Sequence, residues 1–315
     1  MRRSSSPRAP LRAAAVCTTL ALTAGSALAQ SYEVLKYELS TPDAEPSEEL
    51  RALLPAEIRD RGTLLVGGRW DAPPYAFFPE GTKDWTGFEA DLVRGIATVL
   101  GLDIVLEPIT NEQTVLGVNA NRYDIGVGFF ANLEARQETV TNITYLRNIF
   151  GIIVPAENPH GVEEVSDACG LKTIQTGGNF DYAGALNAIC EEKGLPLAER
   201  VQVAEGVNGL LALKSGQIDV YFQSYGQQKY FQEVVDEPIH AIVAPEIGWV
   251  GMGLIAKNDR TDVQDAVLGA VKHLHEIGYY DELIEKWEFQ PLYEANPQIN
   301  GGQDSRWWAT PKAAQ

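Results

Sequence analysis

The chain has 315 residues, 45% of them hydrophobic and 22% charged, with a formal net charge of −18. That length supports one large or two modest domains with a sizeable core. A surface this acidic repels nucleic acid and anionic lipid, so neither is expected as a partner.

Residues 1–29 read as a secretory signal peptide. Arg2, Arg3, Arg8 and Arg12 form a basic start, Ala13 to Ala24 a short apolar core, and Ala27-Leu28-Ala29 a small-x-small cleavage site before Gln30. The core is too short to span a bilayer as a helix. Val16 precedes Cys17 where a lipoprotein signal wants a small residue, so a soluble exported protein without an anchor is expected. Removing the segment takes away four arginines and no acids, which carries the net charge from −18 to −22. No later run approaches transmembrane length, so no membrane insertion is expected.

Two cysteines remain, Cys169 and Cys190. In an oxidising compartment an even pair reads as a disulfide, and the alternative is two buried thiols. His273 and His275 stand two apart on a helix and face different sides, and no histidine lies near either cysteine in sequence. No metal site and no cofactor are expected.

Residues 30–60, with Pro42, Pro46, Pro55 and many acids, read as an extended arm ending in a short helix from Glu48 to Leu54. Thr63 to Gly67 is a strand, and Gly68 to Pro79 a loop of prolines and aromatics. Phe88, Leu92, Ile96 and Val99 recur at helical spacing before Gly101, which predicts a helix over 87–100. A strand over 103–109 and a helix over 114–120 follow. Ile125 to Phe130 is an almost unbroken apolar run, a strand covered on both faces. It runs into Asn132, a candidate N-cap, and the helix formers Leu133, Glu134 and Arg136. Arg136 is thereby placed just beyond the carboxyl end of a parallel sheet, where open α/β folds bind ligands. Its guanidinium suits two-pronged bonding to a carboxylate, and the alternative is a surface pair with Glu134 or Glu138.

Ile149 to Val154 is another apolar strand. A second series then runs strand 171–176, turn Gly177-Gly178-Asn179, helix 180–193, strand 201–204, helix 207–213, strand 219–223 and helix 227–235. Val250 to Ala256 is again a strand. Thr261-Asp262-Val263-Gln264 fits a capping box for a helix to Ile277, and a last helix covers 280–287. Residues 288–315 show no clear period. Two alternating series predict parallel sheets with right-handed crossovers. Strands near 149–154 and 250–256 join two lobes across a cleft, and hinge closure on a small ligand is the expected motion. The expected division is lobe 1 over 61–152 and 252–290, lobe 2 over 153–251, and a tail over 291–315.

At this point the chain resembles the solute-binding proteins of ABC importers, in the polar amino acid class (the bacterial extracellular solute-binding proteins, family 3). The resemblance rests on Gly87-Phe88-Glu89-Ala90-Asp91-Leu92, on Asp124 through Arg136, on Leu213 through Asp219 and on Gly278-Tyr279-Tyr280 through Trp287, and covers roughly residues 60–288. It implies an α/β, two-lobed clamp. A periplasmic monomer would carry a small carboxylate-bearing solute to an inner-membrane permease, with no catalytic residue. It also implies that Arg136 grips the ligand carboxylate, and that the turn holding Gly178 and Asn179 adds backbone donors, as a helix N-terminus suits an anion.

The departures from that pattern bear on the ligand. The usual hydroxyls at the end of the third strand are replaced by Gly128, Phe129 and Ala131. Ser224 stands where an aspartate usually binds the ligand ammonium. The first-strand loop has Arg69 and Ala72, with Trp70 beside them, in place of an acid and an aromatic lid. A cleft with Arg136 and Arg69 and no acid favours an anion lacking an α-ammonium, such as a short carboxylic or dicarboxylic acid. Trp70, Tyr75, Phe77, Phe129 and Phe130 are candidate apolar walls or core. Glu89 or Glu112 in the missing acid's place would restore an ordinary amino acid as ligand. Two further readings stand beside this one. One is a dehydratase similar to cyclohexadienyl dehydratase, with Glu89, Glu112 or Asp71 as acid. The other is an accessory factor of a periplasmic quinoprotein dehydrogenase.

Overall fold

The computed structural model describes residues 39–79, 81–174, 181–202, 209–234 and 238–302. The signal segment and the turn with Gly178 and Asn179 lie outside these. In chain order the elements begin with α1 (Glu48–Leu53), α2 (Ala56–Arg61), β1 (Thr63–Gly68), β2 (Asp71–Ala72), β3 (Ala76–Phe77), α3 (Phe88–Leu100), β4 (Asp103–Pro108), α4 (Asn111–Asn119), β5 (Ile125–Ala131) and α5 (Glu134–Gln137). They continue through β6 (Val140–Pro155), β7 (Lys172–Ile174), α6 (Tyr182–Lys193), β8 (Glu199–Val201), α7 (Gly209–Lys214), β9 (Tyr221–Ser224) and α8 (Tyr225–Val234). The last are β10 (Ile239–Val243), β11 (Trp249–Lys257), α9 (Thr261–Glu276), α10 (Tyr279–Lys286) and β12 (Tyr293–Ile299).

Local chemistry sets most of these bounds. The α3 helix buries Phe88, Leu92, Ile96 and Val99 on one face and stops at Gly101, whose left-handed φ of 61° a side chain would resist. The α4 helix begins at Asn111, three residues earlier than its apolar spacing suggests. The Thr110 hydroxyl accepts from Gln113 N while the Gln113 amide accepts from Thr110 N, a complete capping box. The box expected at Thr261 is absent. Thr261 is already helical, and the Gln264 amide instead donates to Lys257 O and Asn258 O. Nor does Asn132 cap α5; Leu133 holds that place. The Asn132 side chain accepts from Gln137 Nε2 and donates to Gly301 O.

The first sheet is mixed. Strands β4, β1 and β5 are parallel, as the alternating pattern predicts, and β11 joins β5 antiparallel. The 16-residue β6 pairs antiparallel with β11 through Ile149, and its last residues pair antiparallel with β9 and β10. One strand therefore serves both sheets. Strands β7 and β8 are parallel, and a bridge from Thr173 to Val220 brings them beside β9. The chain re-enters the first sheet between Val243 and Trp249. Sequence patterning misses α2, β10 and the first half of β6, where polar Thr141, Asn142 and Thr144 are buried and bonded rather than exposed. The segment without a clear period packs as well: β12 pairs with β6, and Gly251 N donates to Gly302 O.

A Cys169–Cys190 disulfide ties the turn before β7 to α6. Closing a loop of 21 residues contributes about 3 kcal/mol in the chain-entropy account. His273 lies beside Glu276 on the surface, and His275 stacks on Tyr280. No group of residues that could hold a metal occurs among the described residues, and no described helix is long and apolar enough to cross a membrane.

Candidate ligand site

Strands β1 and β5 both end on the same rim, because parallel neighbours finish together. Their last residues bring Arg69 beside Gly128–Ala131, with Arg69 N donating to Val127 O at 3.1 Å. The β5 strand does not end straight. Gly128 (φ 154°) and Phe129 (φ 54°) both carry positive φ, a strained choice for a phenylalanine. The turn lays the Phe129 ring on Tyr75, with centroids 3.4 Å apart and planes 16° off parallel. The φ of Gly128 disfavours a side chain, and a Cβ there would sit 2.5 Å from Asn111 Oδ1.

Here the chain forms a half-open cavity of about 270 Å³. From the first sheet and its loops come Arg69, Ala72, Tyr75, Asn111 and the corner from Gly128 to Ala131, and α5 adds Arg136. Asn148 comes from β6 where that strand passes between sheets, and Tyr182, Ser224 and Gln227 come from α6, β9 and α8. The cavity is thus walled by elements of both sheets. A larger, shallower hollow of about 620 Å³ adjoins it, shares Arg69 and Asn111, and is bordered by Trp70, Asp71 and Glu112. It is the more exposed of the two.

Arg136 is half-buried. It donates to Ala131 O at 2.6 Å, and its guanidinium carbon lies 5.4 Å from the centre of the Phe130 ring. Burial draws its pKa down and no neighbouring acid opposes that shift. Neither Glu134 nor Glu138 pairs with it among the described ion pairs, whereas Arg69 pairs with Asp71 at the outer edge. The Ser224 hydroxyl accepts from Tyr75 OH and donates to Gln227 Oε1, both at 3.1 Å. It forms part of an uncharged chain in the position discussed above for an acid. Asn111 Oδ1 and Asn148 Oδ1 are buried without a protein partner.

Of the residues singled out from sequence, Arg69, Tyr75, Phe129, Ala131, Arg136 and Ser224 meet at this cavity. Trp70 does not. It is buried edge-on against Trp85, with centroids 4.3 Å apart, because the β2–β3 hairpin folds its ring inward. Phe77 packs on Tyr230. Asn148, Gln227 and Tyr182 escape a sequence reading; Asn148 is a polar side chain buried between the half-buried Arg147 and Ile149.

Glu89 is fully buried behind the corner rather than in the cavity. Its carboxylate accepts from Phe129 N at 2.9 Å and from Tyr145 OH at 2.5 Å, so it holds the strained backbone in place. Desolvation pushes its pKa up to about 7, against the lowering effect of the Tyr145 hydroxyl and of the Phe129 and Gly128 amides. A carboxyl group with a folded pKa above its unfolded value binds its proton more tightly in the folded state. Its stabilising contribution is complete below about pH 4.5 and is lost as pH rises to about 7, a decline of about 3 kcal/mol. Urea unfolding of the wild type and Glu89→Gln from pH 5 to 8 should show a shallower pH slope in the variant. Parallel curves would place the pH dependence elsewhere.

The family model for bacterial extracellular solute-binding proteins, family 3, matches residues 64–291. The chain belongs to that family. Among curated proteins it is 25% identical over 296 residues to the arginine-binding protein ArgT of Corynebacterium glutamicum, covering 89% of this chain and 93% of that one. It is 19% identical to the L-cystine-binding protein TcyA of Bacillus subtilis, covering 74% of this chain and 83% of the relative. An ancestral cationic amino acid solute-binding protein has a similar fold, with a TM-score of 0.60 at 21% identity over 73% of this chain and 97% of that one. So does the amino acid ABC transporter substrate-binding protein AbpA of Streptococcus pneumoniae, bound to L-arginine, with a TM-score of 0.58 at 21% identity over 74% and 97%. These likenesses show the two-lobed α/β fold.

Proposed function

We propose that this protein is the extracytoplasmic solute-binding component of an ABC importer and captures a small carboxylate-bearing solute between its lobes. One observation carries the reading. Arg136 stands half-buried at a half-open cavity, at the carboxyl end of β5, with no acid paired to it among the described residues. A desolvated guanidinium without a counter-ion is unfavourable, and a carboxylate guest relieves it with charge-assisted hydrogen bonds. The family membership supports a binding role, and the two curated relatives are named as binding proteins.

The walls come from both sheets, so closure of one lobe toward the other completes the site. The lobes divide along β6 and again between β10 and β11. The basic and apolar segment at residues 1–29 directs export, and the mature protein acts in the periplasm as a monomer that delivers its solute to a permease. Calorimetric titration with a panel of amino acids and organic acids tests the reading, with small-angle scattering on any pair that binds. The expected result is micromolar or tighter binding of at least one carboxylate and a smaller radius of gyration when it is bound. A panel with no binder, or binding without compaction, overturns it.

A further inference from the structure

The relatives named above are binding proteins for arginine and for cystine, both α-amino acids, whose ammonium group needs a partner as much as their carboxylate does. The described wall of this cavity offers two guanidiniums, Arg69 and Arg136, and no carboxylate. Three nearby acids lie outside this wall, and one of them, Glu112, stands exposed beside the larger hollow, where its own backbone N–H and, more weakly, Arg69 favour its charged form. Glu89 lies behind the corner with its oxygens on Phe129 N and Tyr145 OH, and Asp71 is spent on Arg69 at the outer rim. The Ser224 hydroxyl is held between Tyr75 and Gln227. An α-ammonium enclosed here would lose its water and gain only neutral acceptors, which is unfavourable for a buried charge. The unpartnered amide oxygens of Asn111 and Asn148 suit a neutral donor such as a hydroxyl.

We infer that the solute is a small organic acid without an ammonium group, a hydroxy- or dicarboxylate, held by the Arg136 guanidinium with Arg69 at the entrance and the two amides on its neutral polar groups. This rests on the solute-binding reading above and narrows it. Arg136 matches one carboxylate, Arg69 keeps N–H donors for a second beyond the one on Asp71, and a cavity of about 270 Å³ suits a guest of only a few carbons.

Matched pairs separate this inference from the reading beneath it. The wild-type protein is titrated with aspartate against malate and succinate, with glutamate against 2-hydroxyglutarate and glutarate, and with arginine and cystine. At least one ammonium-free acid should bind ten-fold or more tightly than its amino acid partner, and arginine and cystine should bind more weakly than that acid. An amino acid that binds within ten-fold of its partner, or more tightly, overturns the inference and leaves solute binding standing. Absence of binding by every compound overturns both. In folded Ser224→Asp, which gives the wall a carboxylate, the preference should shrink by at least ten-fold. An unchanged preference in that folded variant also overturns the inference.

Discussion

Arg136→Ala is expected to lose binding of the carboxylate solute by about 30-fold to several thousand-fold, the range that truncating a buried, hydrogen-bonded charge pair produces at roughly 2–5 kcal/mol. The folded state should barely change. Among the described residues this half-buried guanidinium donates to Ala131 O, lies over Phe130 and pairs with no acid, so its removal gives up little. Arg136→Lys keeps the charge and loses the fork that grips both carboxylate oxygens, so it should recover only part of the affinity. Calorimetry at a fixed salt concentration, with thermal unfolding of each variant as the control, gives the comparison. Wild-type affinity in Arg136→Ala would mean that the carboxylate is held elsewhere.

That Arg136 can be argued about at all reflects which parts of the site are written locally in the chain. A buried apolar run ending in a helix start fixes a residue at the carboxyl end of a parallel strand, and Asp124 to Arg136 contains all of that within thirteen residues. Arg69 follows from the same logic one strand over. The other wall is not local. Asn148 matters only because β6 is long enough to serve two sheets, and that length is masked by the polar residues Thr141, Asn142 and Thr144, whose partners lie in β5, β11 and the segment beyond α10. Trp70 misleads for the same reason. Its neighbours in sequence suggest a loop at the cleft, and only the fold of the β2–β3 hairpin shows the ring turned toward Trp85. Caps fail similarly at Asn132 and Gln264, whose side-chain amides donate to the carbonyls of Gly301 and Lys257, and the Asn132 oxygen accepts from the Gln137 side chain.

Asp91 is expected to be the costliest single side chain to remove, by about 3–5 kcal/mol in Asp91→Ala. Its carboxylate is fully buried on α3 and holds four partners at once. One oxygen accepts from Arg94 Nη1 at 3.1 Å and Ser40 N at 3.2 Å; the other accepts from Lys286 Nζ at 2.7 Å and Trp287 Nε1 at 3.1 Å. These donors come from the N-terminal arm, from α3 itself and from the end of α10, so one side chain fastens three separated stretches of chain. Truncation would take the counter-charge from two mostly buried cations and a hydrogen-bond acceptor from the Trp287 indole. Asp91→Asn keeps the shape and loses the charge, so it should lie between the wild type and the alanine variant. The wall of the ligand cavity includes none of this cluster's residues. A folded Asp91→Asn should therefore keep its solute affinity while its urea midpoint falls. A midpoint unmoved by Asp91→Ala would mean that the four contacts are offset by the penalty of burying the carboxylate; a loss of affinity in step with stability would instead tie α3 to the opening and closing of the cleft.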